Sequence, residues 1–178
     1  TLTQTDAGRV TVGGETSIRV VGGDLELGNA GNDFQGSITA EADNVLLADA
    51  NDMELDHIEA AGSATLVAGG NIVQNGATVK VDHGRAEETL LDASVRAGTI
   101  HLEARGNIGR GTHDYLVVGG GTVSATAGGN VSLASAGTED LKVGAVAGQD
   151  VSLYTAGKLV TEDTVSADGS TTVTAKRF

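Results

Sequence analysis

The feature that most limits what this chain can become is a repeat of about twenty residues. Ala127-Gly-Gly-Asn-Val-Ser-Leu133 returns as Ala147-Gly-Gln-Asp-Val-Ser-Leu153. Gly22-Gly-Asp-Leu-Glu-Leu27 and Ala42-Asp-Asn-Val-Leu-Leu47 carry the same motif, as do Ala68-Gly-Gly-Asn-Ile72 and Ala104-Arg-Gly-Asn-Ile108. Ala167-Asp-Gly-Ser-Thr-Thr-Val173 is a degraded copy. The anchor position therefore reads Asp24, Asn44, Asn71, Asn107, Asn130, Asp150, Ser170, in steps of 20, 27, 36, 23, 20 and 20. The step of 36 is expected to hide one unmarked turn of the repeat plus an insertion.

Each anchor is followed by period-two alternation, the signature of a strand with one buried face. Leu25 and Leu27, Val45 and Leu47, Val131 and Leu133, and Val151 and Leu153 fall on one side. Glu26, Ser132, Ser152 and Thr172 fall on the other, with Leu46 as the exception. Further alternating runs begin at Ser17, Ser37, Ala64, Thr99 and Thr122. A unit of this length cannot bury a face alone, but stacked units share a continuous core. The expected fold is all-β, a right-handed parallel β-helix. Roughly eight or nine coils at ~4.8 Å each give a rod of about 40 Å. Residues 1–178 read as one segment with an irregular insertion near 82–98, where the anchor is missing.

Composition fits that reading. Glycine supplies 27 residues, and proline, cysteine and tryptophan are absent. Glycine is expected to provide positive φ and close backbone approach at coil corners. Proline would remove a ladder donor from strands paired on both sides. The four aromatics, Phe34, Tyr115, Tyr154 and Phe178, read as too wide for a narrow core of Val, Leu and Ile. Asn and Asp recurring at one corner predict a stacked polar ladder, since both tolerate the left-handed region and bond nearby backbone. The absence of cysteine excludes disulfides and thiolate metal sites. The net charge of −13 argues against nucleic acid as a partner. No run approaches a membrane span.

Several of these stretches resemble the repeats of filamentous-haemagglutinin-like exoproteins. The resemblance is carried by Asn29-Ala-Gly-Asn-Asp-Phe-Gln-Gly36, by Asn44 through Leu55, by Ala68 through Gly76, and by Gly106-Asn-Ile-Gly109 with Gly119 through Leu133. Val143 through Leu153 adds a further copy. It implies a large bacterial adhesin exported by two-partner secretion, secreted or held at the cell surface, one plausible member being a biofilm-matrix adhesin. Its partners would be an extracellular polysaccharide or a host-cell receptor, and an outer-membrane secretion partner acting outside this segment. The family's secretion domain carries Asn-Pro-Asn-Gly, which a proline-free chain lacks. Thr1 is not expected to open a signal peptide, since no basic n-region and apolar h-region follow it. The expectation is an internal piece of the shaft.

Motifs that could carry chemistry have structural readings beside them. Gly28–Gly36 approaches a calcium-binding nonapeptide but has one copy, with Asn29 and Gln35 out of pattern. Asp49 and Asp52 supply oxygens without an EF-hand's glycine and distal glutamate. His57, His83, His101 and His113 show no zinc spacing. His101 and Glu103 should share the outer face of one strand. Arg85, Arg96, Arg105 and Arg110, with Asp82, Glu87, Glu88 and Asp92 nearby, form the one basic concentration, which reads either as a lyase-like groove or anionic-glycan contact or as a set of surface ion pairs. Asn130-Val-Ser132 is a formal glycosylation sequon that the ladder already explains. The expectation is no catalytic residue, no metal and no cofactor: a structural shaft, with a polysaccharide-binding or polysaccharide-cleaving β-helix and a passive spacer stalk as the alternatives.

Overall fold

The structure is a computed structural model that describes residues 1–75, 92–110 and 114–176. Its described residues form strands and turns with no helix, and every strand pairing is parallel. The chain is a β-solenoid, and its strands stack in three columns.

The first column climbs through β1 (Leu2–Thr3), β4 (Leu25–Leu27), β7 (Val45–Asp49) and β9 (Ser63–Ala68). It continues through the later halves of β11 (Val95–Ala104) and β12 (Leu116–Ala127), then β14 (Leu141–Gly148). It ends on β16 (Leu159–Thr161) and β17 (Val165–Ala167), which share one rung. The second column holds β3 (Thr16–Arg19), β6 (Ile38–Ala42), the end of β8 (Met53–Ala60) and the starts of β11 and β12. The third is short. The start of β8, then β10 (Ile72–Gln74), Ile108 and the start of β13 (Val131–Ser135) stack there. β13, β15 (Val151–Thr155) and β18 (Thr171–Ala175) then serve the second and third columns together. β2 (Thr11–Val12) and β5 (Asp33–Phe34) form a separate pair. Eight rungs are present in the first column among the described residues, about 35 Å at the usual inter-strand spacing.

Alternation produces the core. In the first column Leu25, Val45, Ala64, Ile100, Val123 and Val143 stack in register, beside Leu27, Leu47, Leu66, Leu102, Ala125 and Val146. All of them are buried and belong to one apolar cluster running through the coils. Aliphatic side chains of similar size follow one another up each stack, with Ala64 and Ala125 as the small steps, and fill the interior. Leu46, the outward exception, lies against Gly28, where a Cβ would come within 2.9 Å of its side chain.

Two expectations need correction. Phe34 is in the main core, 2% exposed. It takes the inward position of the two-residue β5, outside the long stacked strands, so the width argument does not reach it. Tyr115 and Tyr154 pack in a second cluster with Val117, Ala134 and Ala136, their ring centroids 5.8 Å apart. Leu116 and Val118 belong to the main core, so this second cluster lies on the outer side of the same strands.

The step of 36 hides no extra turn. Ile108 bridges directly to Ile72, and the Asn107 backbone N–H donates to Asn71 Oδ1 at 2.7 Å, so one coil carries the whole insertion. Of the expected insertion near 82–98, residues 82–91 lie outside the described residues, and Val95–Gly98 are the first part of β11.

Glycine, finally, acts mainly by absence of a side chain. Among the described glycines only Gly22, Gly109, Gly120 and Gly137 have positive φ. At Gly121 a Cβ would overlap the Gly98 carbonyl oxygen of the coil before.

Candidate functional site

The anchor residues form two ladders at two different corners. The short ladder sits where the second column turns into the first. Asn44 Nδ2 donates to Asp24 Oδ1 at 2.8 Å, and Asn44 Oδ1 accepts from Ser63 N–H at 2.9 Å and Ser63 Oγ–H at 3.0 Å. The long ladder sits where the first column turns into the third. There Asp52, Asn71, Asn107, Asn130 and Asp150 each offer Oδ1 to the backbone N–H of the next anchor. Only an oxygen is required at this step, which is why Asn and Asp interchange. The step of 27 between Asn44 and Asn71 is the passage from one corner to the other. Sequence reasoning missed Asp52 and Ser63 as ladder members. Their 19-residue offsets to Asn71 and Asn44 were the available signal.

The residue before each anchor explains the Gly-Asn pairs. A Cβ on Gly106 would strike Asn71 Oδ1, and one on Gly129 would strike Asn107 Oδ1. Gly169 stands in the same relation to Asp150 Oδ1, at 2.6 Å. Glycine thus clears the space in which the acceptor oxygen meets the next N–H. The long ladder has Gln149 rather than glycine before Asp150, and that bond is 3.1 Å where the other four are 2.7 Å.

Beside the long ladder runs a surface groove of about 850 Å³ crossing four coils. Asp33 and Gln35 line its first rung, Asp52 and Glu54 its second, Asn71 and Val73 its third, Asn107 and Arg110 its fourth. Arg110 closes that end: its Nη2 donates to the Gln74 carbonyl at 3.2 Å and lies 3.7 Å from Glu54 Oε1. Carboxylates outnumber the single guanidinium in this lining, so the groove presents mainly hydrogen-bond acceptors.

Under the groove lies Asp49, 2% exposed. Its Oδ2 accepts the Phe34 N–H at 3.2 Å and its Oδ1 the Asn51 N–H at 3.0 Å. Burial pushes its carboxyl above the usual range; the two N–H bonds pull back, and the charges of Asp33 and Asp52 push further up. Asp150 moves the opposite way. The Ser170 backbone N–H, then its hydroxyl, hold that carboxylate below the usual range. Burial raises the Tyr115 phenol.

The other singled-out residues are dispersed. In Gly28–Gly36, Asn29 Nδ2 donates to the Asp6 and Gly8 carbonyls, at 2.7 and 2.8 Å. Asn32, fully buried, exchanges two bonds with Gln4, accepts the Val10 N–H and donates to the Leu27 carbonyl. These amides are spent joining the first two coils. Among the described residues no three His, Asp or Glu side chains gather in a way that could hold a metal ion. His101 and Glu103 lie exposed on the outer side of β11. His57 pairs with Glu59 at 3.2 Å.

The expected basic concentration is not one site among the described residues. Arg96 pairs with Glu139 at 2.8 Å, lying over Gly119 in the second column. Arg110 faces Glu54 at the third, and Arg105 is exposed at a corner. His83, His113, Asp82, Arg85, Glu87 and Glu88 lie outside the described residues.

No curated protein and no solved structure matches the chain. A family model described as repeats of unknown function matches twice, over residues 1–41 and 42–114. The boundary falls at the end of β6, just before the corner that carries Asn44. With its two matches together covering most of the chain, the protein belongs to this family of repeats, DUF5649.

Proposed function

We propose that this chain is a stretch of structural shaft in a secreted or surface-held bacterial adhesin. The observation that carries the reading is the unbroken parallel stack. Among the described residues one apolar core runs from Leu25 to Leu153, with partly buried side chains of the end coils packed against it, and a polar ladder links each of the later coils to the next. A stack of this kind resists bending because deformation must break backbone pairing and core contacts together. The resemblance of its repeats to filamentous-haemagglutinin-like exoproteins adds the bacterial surface, the adhesion role and export through an outer-membrane partner. The reading assigns no catalytic step to any residue.

An in-frame deletion of these residues from the parent protein tests it. If the segment is a shaft, the protein still reaches the surface, the adhesin shortens by about 35 Å in electron micrographs, and cell aggregation weakens. Unchanged length, or loss of a catalytic activity, would refute the proposal.

A second reading, contact with an extracellular polysaccharide, is favoured by the groove over four coils. Its acceptor-rich lining suits a ligand dense in hydroxyl donors. Calorimetric titration of the chain with neutral and acidic polysaccharides separates this from a passive spacer: heat that vanishes in Glu54→Ala with Arg110→Ala supports contact, and no heat supports the spacer.

A further inference from the structure

The corner where β5, β7 and the Ala50–Asp52 turn meet gathers three carboxylates, Asp33, Asp49 and Asp52, across two successive coils. They belong to one hydrogen-bonded junction. Asn51 donates its backbone N–H to Asp49 and its side-chain amide to Asp33 Oδ1 at 3.2 Å, while Asp49 also takes the Phe34 N–H from the coil below. Asp52 carries the coil above through the Asn71 N–H and side-chain amide, at 2.7 and 3.0 Å. Among the described residues no cation lies within ion-pair distance of any of the three. Arg110 is turned to Glu54, and Arg9 lies against Gly31. A buried carboxylate usually has a paired cation or a surplus of donors. Asp49 has two donors and two neighbouring like charges.

We infer that this junction is an acid-tightened clasp: a proton taken up at Asp49 strengthens the hold between the second, third and fourth coils. Protonation removes the buried charge and its repulsion with Asp33 and Asp52, while the carboxyl oxygens remain beside the Phe34 and Asn51 N–H groups. The direction of the Asp49 shift agrees. A carboxyl that holds its proton more tightly folded than unfolded adds stability as pH falls through its folded value. That gain is complete only below the ordinary carboxylate value. Above the folded value the clasp stays charged and strained. The inference is independent of the adhesin reading, since it concerns cohesion of the coils alone.

The test is thermal unfolding of the full 178-residue chain across mildly acidic to alkaline pH, beside Asp49→Asn and Asp150→Asn. The wild type should melt about 2–4 °C higher on the mildly acidic side. Asp49→Asn should lose most of that difference, and Asp150→Asn, four coils further along the same ladder, should keep it. Charged groups common to all the variants cancel in the comparison. A wild-type melting point that is flat or falls toward acid overturns the clasp, as does a difference that survives in Asp49→Asn. If Asp49→Asn does not fold, Asp33→Asn decides instead. It removes one repelling charge, keeps an oxygen for Asn51 and leaves both Asp49 bonds in place. It should raise the alkaline-side melting point and shrink the pH difference; an unchanged difference overturns the clasp.

Discussion

The two ladders use the same residues in different ways. In the long one, the side-chain oxygen of each coil holds the backbone N–H of the next, and a small residue usually clears its path. In the short one, Asp24 and Asn44 meet side chain to side chain at an exposed corner, and one backbone N–H, that of Ser63, is held. A bond that fixes backbone constrains the rung itself. A bond between two exposed side chains constrains mainly those side chains, and solvent replaces it readily. The comparison teaches that a recurring Asn or Asp is not one structural role. Its weight depends on what the oxygen holds and how buried the corner is.

The largest expected effect comes from filling the cleared space in the long ladder. Gly129→Ala drives a methyl into Asn107 Oδ1 and crowds the Gly106 carbonyl. A loss of about 2–3 kcal/mol is expected, from overpacking and a displaced hydrogen bond. Gly62→Ala meets Asn44 Oδ1 in the short ladder, at an exposed side chain free to turn away, and should lose about 1 kcal/mol or less. Urea titration of the two variants side by side checks the pair, and equal losses would erase the distinction between corners.

Removing the acceptor itself should have a smaller effect. Asn107→Ala leaves the part-buried Asn130 N–H without its partner and should lower stability by about 1–2 kcal/mol. Asn44→Ala should lose about half of that, because water reaches its partners.

Asp150→Asn keeps the oxygen that Ser170 uses, so the neutral-pH melting point should barely move. Its effect is on the acid side. A carboxylate held below its ordinary value stabilises the fold above that value, and the contribution is lost as pH falls through the lower, folded one. Below the ordinary carboxylate range the melting point should therefore fall less steeply with decreasing pH in the variant. Smallest of all is Gln149→Gly. It should shorten the 3.1 Å ladder bond toward the 2.7 Å of its neighbours, with the added backbone freedom offsetting most of the gain. A crystal structure of that variant measures the bond directly.

The period-two runs and their spacing made the stacked strands legible, because inward Val, Leu and Ile at every second position admit few other folds. The corner at which each run begins was not legible. Asp24-Leu-Glu-Leu27 and Asp150-Val-Ser-Leu153 obey one local rule, a polar anchor and then in-out-in, yet they lie in different columns. A repeat fixes distance along the coil and leaves the starting corner free. Phe34 was misjudged because core width was argued for the flat strands, and it sits beyond them. Of the groove, Arg110 was visible as part of a basic group. Its actual partner, Glu54, is far away in sequence and adjacent only after stacking. The buried state of Asp49 was equally hidden, because the run Val45–Asp49 is buried on both sides at its end.

The long ladder also has a direction. Truncating an anchor side chain removes the oxygen it offers to the following coil and spares the backbone N–H it gives to the preceding one. Asn107→Ala would leave Asn107 still tied to Asn71 while Asn130 comes loose. A fault therefore travels toward the C-terminus and stops at the coil behind it. In a long array of such coils, damage would open the rod on one side of the lesion, so that amide exchange beyond an altered anchor rises while exchange before it stays as it was.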